Sequence, residues 1–144
     1  MENVVVARLA VNSIGTWKLN LAKSKRTPPS ANPATALMMV NEAGDEGVKS
    51  TVTGRLEDGT AIHFAGPIRF DGKEYPVSGA PWDVYSFTPI DARTCTFVDR
   101  KTGGKFHVLG RQVISEDGKT LTITSEGTDA NGVPVTALQV YEKQ

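Results

Sequence analysis

The sequence predicts an all-β fold, a single up-and-down antiparallel β-barrel of about 8–10 strands. Turn signals, mostly Asp-Gly, Asn-Gly and Gly-Gly pairs, recur at short intervals, and such pairs tolerate the positive φ angles of tight hairpins. The stretches between them alternate apolar and polar residues and are rich in Val, Thr, Ile, Phe and Tyr, as strands are. A closed meander of this size usually surrounds a cavity. The turn signals lie at 42–47, 58–59, 71–72, 91–93, 103–104, 117–118 and 131–132.

The first strand is predicted at 14–21, where Trp17 and Leu19 fall on one face. No segment shows sustained helical periodicity, so little helix is expected. Prolines and a glycine interrupt the region 74–89, which is therefore interpreted as one bent strand or as a strand beside a short edge element. The further strands are predicted at 35–41, 48–56, 60–70, 74–78, 82–89, 94–100, 105–115, 120–127 and 133–142.

The whole chain, 1–144, is predicted to form one domain. Two of its segments do not belong to the series of predicted barrel strands. The N-terminal extension, 1–13, contains the short apolar run Val4–Val11. This run suits an edge strand, a brief helix that plugs one barrel end, or a contact with another subunit. The Pro-rich segment 22–34 is expected to cross one end of the barrel as a loop, because proline removes backbone donors and fixes φ.

Charge, cysteine content and hydropathy limit the classes of protein to which the chain can belong. The chain carries 16 Lys and Arg against 16 Asp and Glu, so no net charge steers it toward nucleic acid. The single cysteine, Cys95, excludes an internal disulfide, and its strand pattern predicts a small buried hydrophobe. No apolar stretch is long enough to span a membrane. The start of the chain is a poor secretory signal, so a cytoplasmic location is expected, with a lost secretory leader as the alternative.

The first and the last predicted strands carry segments that resemble a known superfamily. Gly15-Thr16-Trp17 opens the first strand and Val140-Tyr141-Glu142-Lys143 closes the last. These segments resemble the calycins, the superfamily of lipocalins and intracellular fatty-acid-binding proteins. The resemblance implies a lipocalin-like barrel in which Trp17 plugs the closed end, often under a basic side chain. It also implies that Tyr141 and an arginine on an earlier strand, Arg111, grip a carboxylate.

The sequence departs from the fatty-acid-binding proteins in two respects. Gln139 stands where their terminal arginine would be, and the Pro-rich segment replaces their two-helix lid. The chain is most similar to uncharacterised bacterial lipocalin-like proteins, with Phe70 in place of a tyrosine in their pattern. This likeness implies no particular function, although it covers nearly the whole chain. The matching positions are 15–20, 22–25, 70–76 and 140–143.

Strand alternation assigns side chains to faces and gives a set of candidate interior residues. His107 and Arg111 share one face of the strand 105–115, and Gln139 and Tyr141 share one face of the last strand. A shift of one residue in any strand would reverse its assignment. If these faces point inward, the lumen holds the following polar side chains among apolar walls: Asp83, Tyr85, Asp99, His107, Arg111, Gln139 and Tyr141.

Such a lumen permits acid–base chemistry. His107 near a carboxylate in a dry cavity can act as a general base or acid. Asp83 or Asp99 would orient it, Tyr85 or Tyr141 would donate to a developing oxyanion, and Arg111 would neutralise its charge. The alternative is a His107 that faces outward or is simply hydrogen-bonded inside the barrel. The other histidine, His63, is expected to face outward, and no metal site and no cofactor are predicted.

Three functions are compatible with this lumen. The leading prediction is binding of a small, mostly hydrophobic ligand in the barrel cavity. The alternative is a cofactor-independent enzyme, a lyase, isomerase or hydrolase, that uses the His/Asp pair inside the barrel. In a third interpretation the barrel is filled by its own side chains and associates through Val4–Val11 and Trp82, for instance as a homodimer. Neither nucleic acid nor a membrane is expected as a partner. The predicted ligand-binding residues are Trp82, Phe87, Phe97, Arg111, Gln139 and Tyr141.

Overall fold

The computed structural model describes residues 4–45 and 47–144. Its strands form one 11-stranded antiparallel sheet that curls into a nearly closed barrel, preceded by a helix. The predicted all-β barrel is therefore confirmed. The elements are α1 Val4–Ser13, β1 Gly15–Leu19, a 3₁₀ turn at Leu21–Lys23, β2 Lys25–Thr27, β3 Ala34–Ala43, β4 Val48–Leu56, β5 Ala61–Ile68, β6 Tyr75–Pro76, β7 Val84–Asp91, β8 Thr94–Arg100, β9 His107–Ile114, β10 Thr120–Thr128 and β11 Pro134–Lys143.

The sheet order is β5-β4-β3-β1-β11-β10-β9-β8-β7-β6, and β2 also pairs with β11. The two ends of this order meet where Ala65 and Ser78 form an isolated bridge with N···O distances of 3.2 and 3.1 Å. This bridge joins the two ends of the sheet and nearly closes the barrel. Part of the Pro-rich segment is a strand rather than a loop, because Lys25–Thr27 pairs with the middle of β11.

The hairpin turns are formed by the aspartate and glycine residues that the sequence indicated. At the β4–β5 turn, the Asp58 carboxylate accepts a hydrogen bond from the Thr60 backbone N–H at 2.8 Å, and Gly59 has a φ of +88°. The aspartate fixes the turn through its side chain, and the glycine supplies the left-handed backbone. The same aspartate contact recurs at the turns after β5, β7 and β9. Within the predicted turn 42–47, Glu46 lies outside the described residues.

Helix α1 plugs one end of the barrel. Leu9 is 0 % exposed and belongs to the core, and Asn12 Nδ2 donates to the carbonyl of Ala92 in the β7–β8 turn at 2.7 Å. Among the alternatives for this segment, the plugging helix is the one that forms, and an edge strand does not. Val11 on the outer side is 69 % exposed, and a subunit contact there stays a prediction. Positions 1–3 of the predicted extension lie outside the described part of the chain.

Trp17 packs next to this plug at the start of β1. It is 0 % exposed, and its Nε1 donates to the Ser13 carbonyl at 3.0 Å. Asn41 Nδ2 donates to the same carbonyl at 3.0 Å. Lys143 Nζ lies 5.6 Å from the centre of the Trp17 ring, within the range of a cation–π contact. The tryptophan at the closed end under a basic side chain, which the lipocalin resemblance implied, is confirmed.

The core is formed by two clusters of buried side chains. One contains Leu9 and Phe97, the other contains Trp17 and Leu121, and Phe64 packs against both. Burial raises the pKa of Cys95 to about 12, so this residue is the small buried hydrophobe that its strand pattern predicted. Across residues 4–45 and 47–144, no helix has the length and apolar character that crossing a bilayer requires.

Candidate ligand-binding site

Side chains that point into the barrel become more exposed with distance from α1. Near the plug, Trp17 and Leu121 are fully buried. The turns at 57–60, 101–106 and 129–133 lie at the opposite end, where several inward side chains are only half-buried. Solvent therefore reaches the interior from this end, which we call the open half. Its half-buried inward side chains include Leu37, Ile62, Phe64, Trp82, Asp99, Ile123, Ser125, Ala137 and Gln139.

Three aromatic rings pack together in the open half. The Trp82 ring stacks on Phe106, with centroids 5.2 Å apart and planes inclined by 28°. The Trp82 ring also contacts the Phe64 ring edge-to-face, with centroids 5.2 Å apart and planes inclined by 70°. Trp82 therefore packs against two rings of the same chain, and its predicted roles in ligand binding or in a subunit contact stay predictions.

Asp99 and Tyr85 are neighbours on adjacent strands, as direct register partners on β8 and β7. Burial raises the pKa of Asp99 to about 7, because loss of solvent disfavours the charged form. Burial is the larger cause that raises the pKa of Tyr85, and the nearby negative charge of Asp99 raises it further. Near neutral pH, Tyr85 is therefore an uncharged hydroxyl, while Asp99 exchanges between protonated and ionised forms.

Two buried donors in this part of the barrel have no protein partner. The Tyr85 hydroxyl reaches across to β5, where a Cβ placed on Gly66 would lie 2.6 Å from Tyr85 Oη. Tyr85 Oη and Trp82 Nε1 are both buried and unpartnered. Buried polar atoms are normally hydrogen-bonded, and an unsatisfied one costs about 1–3 kcal/mol.

The structure places His107 and Arg111 on the outer surface, so their predicted inward orientation is wrong. Both side chains are exposed, and His107 lies opposite Arg100 on β8. The opposite face of β9 points inward, because Gly110 leaves the space that the Phe97 ring fills. Arg111 instead borders a shallow outer depression of about 470 Å³.

Asp83 lies at the open rim and is engaged by neighbouring residues. Its Oδ1 accepts from the Thr102 backbone N–H at 2.8 Å and from Thr102 Oγ1 at 3.1 Å. Lys101 Nζ lies 3.7 Å from the other carboxylate oxygen. The Thr102 backbone hydrogen bond is the largest cause that lowers the pKa of Asp83. Neither Asp83 nor Asp99 pairs with His107, so the predicted His/Asp pair does not form inside the barrel.

The remaining predicted site residues point inward. Tyr141 is buried, which raises its pKa to about 12, and Gln139 is half-buried opposite Ile123 of β10. Phe87 and Phe97 are buried deeper, with ring centroids 5.7 Å apart. His63 is exposed, as expected.

Phe64 and Phe106 pack against Trp82 in the open half, and the sequence analysis did not name them as candidates. For Phe64 the signal was present, since it alternates with Ile62 on the face of β5 opposite His63. Phe106 precedes β9 in a turn, where alternation assigns no face. Among the described residues, no three His, Cys, Asp or Glu side chains form a group that could hold a metal ion.

Comparison with known proteins adds evidence on the fold. No protein-family model and no curated protein matches the chain. The crystal structure of zebrafish ileal bile acid-binding protein in complex with cholic acid matches with a TM-score of 0.51 and 12 % identity, over 92 % of this chain and 99 % of that one. A redesigned β-barrel bound to DFHBI matches with a TM-score of 0.47 and 14 % identity, over 95 % and 99 %. The zebrafish match supports the antiparallel β-barrel fold.

Proposed function

We propose that this protein binds a small, mostly apolar molecule in the open half of its barrel. The observation that carries the proposal is the pair of buried, unpartnered donors, Tyr85 Oη and Trp82 Nε1. Both lie among apolar side chains in the half of the barrel that solvent reaches. An apolar pocket with a few fixed polar groups is the usual form of a small-molecule site.

The fold supports the same proposal more generally. The zebrafish protein of similar fold was crystallised with cholic acid, a small molecule. The acid–base alternative has less support, because His107 is exposed on the outer face while Asp99 points inward.

Titration with a neutral, environment-sensitive dye such as Nile red tests the proposal. Wild-type protein is expected to enhance the dye fluorescence with a micromolar dissociation constant, on the order of 8 kcal/mol of binding free energy. Ala137→Trp should fill part of the open half and weaken dye binding about tenfold or more.

The matched control is Thr136→Trp, since Thr136 is the preceding residue on β11 and its side chain is exposed. This variant should bind the dye as the wild type does. Circular dichroism would verify that both variants are folded. Absence of dye binding by the wild type, or equal loss in both variants, would contradict the proposal.

A further inference from the structure

We infer that the ligand presents a protonated amine to Asp99, so that the barrel selects apolar amines over apolar carboxylates. This inference rests on the proposed function and specifies the class of ligand. It departs from the expectation of a gripped carboxylate, because the arginine assigned to that role, Arg111, lies on the outer surface.

The first argument is the charge inside the barrel. Among the described residues, the carboxyl of Asp99 has no hydrogen bond or ion pair to offset its loss of solvent. The facing strand positions on either side are Tyr85 and Val108, neither of which carries a positive charge. An ammonium group close to a desolvated carboxylate stabilises it, whereas a second carboxylate would repel it.

Three cations near the open rim, Arg26, Arg100 and Lys101, have polar partners. Arg26 donates to the Pro28 carbonyl at 2.6 Å and lies 3.8 Å from the Asp129 carboxylate. Lys101 lies beside Asp83, and Arg100 pairs with Glu74. Among the described residues these three cations pair with groups other than Asp99, whose carboxyl keeps no counter-ion.

The second argument is the aromatic content of the open half. Trp82 stacks on Phe106 and contacts Phe64, and Tyr85 is the register partner of Asp99. Aromatic faces attract cations, more strongly where water is excluded. The Tyr85 hydroxyl can also accept a hydrogen bond from an ammonium group. A carboxyl beside Tyr85, in the half of the barrel that also holds these rings, favours an amine over either an acid or a hydrocarbon.

Competition between three ligands of equal chain length tests the inference. Dodecylamine, dodecanol and dodecanoate would each displace Nile red from the wild-type protein at about pH 8, where Asp99 is mostly ionised. Dodecylamine is expected to bind about tenfold more tightly than dodecanoate, with dodecanol between them. In Asp99→Asn the preference for the amine should fall to about twofold or less.

Asp117→Asn is the control, because Asp117 lies in the β9–β10 turn at the plugged end and bonds to Ser115 and Lys119. It should keep the wild-type preference. A dodecanoate that binds as tightly as dodecylamine, or a preference that survives in Asp99→Asn, would overturn the inference while leaving ligand binding intact. Failure of the protein to bind Nile red would instead overturn the proposed function, and this inference with it.

Discussion

The ring of Phe97 on β8 occupies the space that a side chain at Gly110 on β9 would need. The two residues are direct register partners, and a Cβ placed on Gly110 would lie 2.1 Å from Phe97 Cζ. This contact fixes which face of β9 is inside. Val108 and Ile114 therefore point into the barrel, and His107 points to solvent.

Gly110→Ala should destabilise the protein by about 1–3 kcal/mol, because the added methyl group forces the Phe97 ring out of its packed position. In a Phe97→Leu background the same change should cost less than about 1 kcal/mol. Urea denaturation of the four proteins in this double-mutant cycle measures both values. Additive losses would show that the two residues do not share this space.

Asp99 should make the protein less stable as pH rises from about 4 to about 7. Its folded pKa of about 7 lies above the ordinary value of 3.8. Between these values the unfolded chain has lost a proton that the folded protein keeps, so rising pH favours unfolding. Asp99→Asn should therefore exceed the wild type in stability by roughly 2–4 kcal/mol at about pH 8 and match it near pH 4.

Urea denaturation at several pH values would measure this difference. Asp117→Asn should show the opposite sign, since hydrogen bonds from Ser115 and Lys119 lower the pKa of Asp117. That carboxylate stabilises the fold above its unfolded pKa, and the stabilisation is lost as pH falls through the folded value. An Asp99→Asn variant that gains no stability at alkaline pH would refute the assignment of a desolvated carboxyl.

His107→Ala should change neither the stability, beyond about 0.5 kcal/mol, nor the affinity for Nile red. The reason is that His107 is exposed on the outer face of β9, so its side chain does not line the barrel interior. Dye titration and thermal denaturation measure the two quantities. A tenfold loss of affinity, on the order of 1.4 kcal/mol, would restore His107 as a site residue.

Leu9→Ala should cost about 2–5 kcal/mol, because it removes a fully buried side chain from the barrel end. Val11→Ala on the same helix should cost less than about 0.5 kcal/mol, since Val11 is 69 % exposed. Chemical denaturation of both variants provides the comparison. Equal effects of the two substitutions would mean that α1 does not plug the barrel.

Alternation and turn residues predicted most strands closely, because both signals are local. The strands at 48–56 and 94–100 match the structure at both ends. The inward side of β9 was not predictable in the same way. Its two faces are similarly apolar, with Leu109 and Val113 on one and Val108 and Ile114 on the other. The deciding contact with Phe97 depends on the register between strands, which a single strand does not encode.

Two other elements also depended on contacts between distant parts of the chain. The run Val4–Val11 is too short for its periodicity to separate helix from strand, and packing on the barrel end selects the helix. Strand β2 is only Lys25–Thr27 and is followed by prolines. Its pairing with β11 joins residues that are far apart in the sequence, so no local signal predicts it.

The position of β1 between β3 and β11 has a consequence for biosynthesis. While the ribosome is still producing the middle of the chain, β1 has only β3 as a partner, and its other edge is bare. A bare edge can pair with another nascent chain and aggregate. The barrel becomes protected only when β11 emerges and covers both β1 and β10, so premature termination before β11 would release an aggregation-prone fragment rather than a smaller barrel.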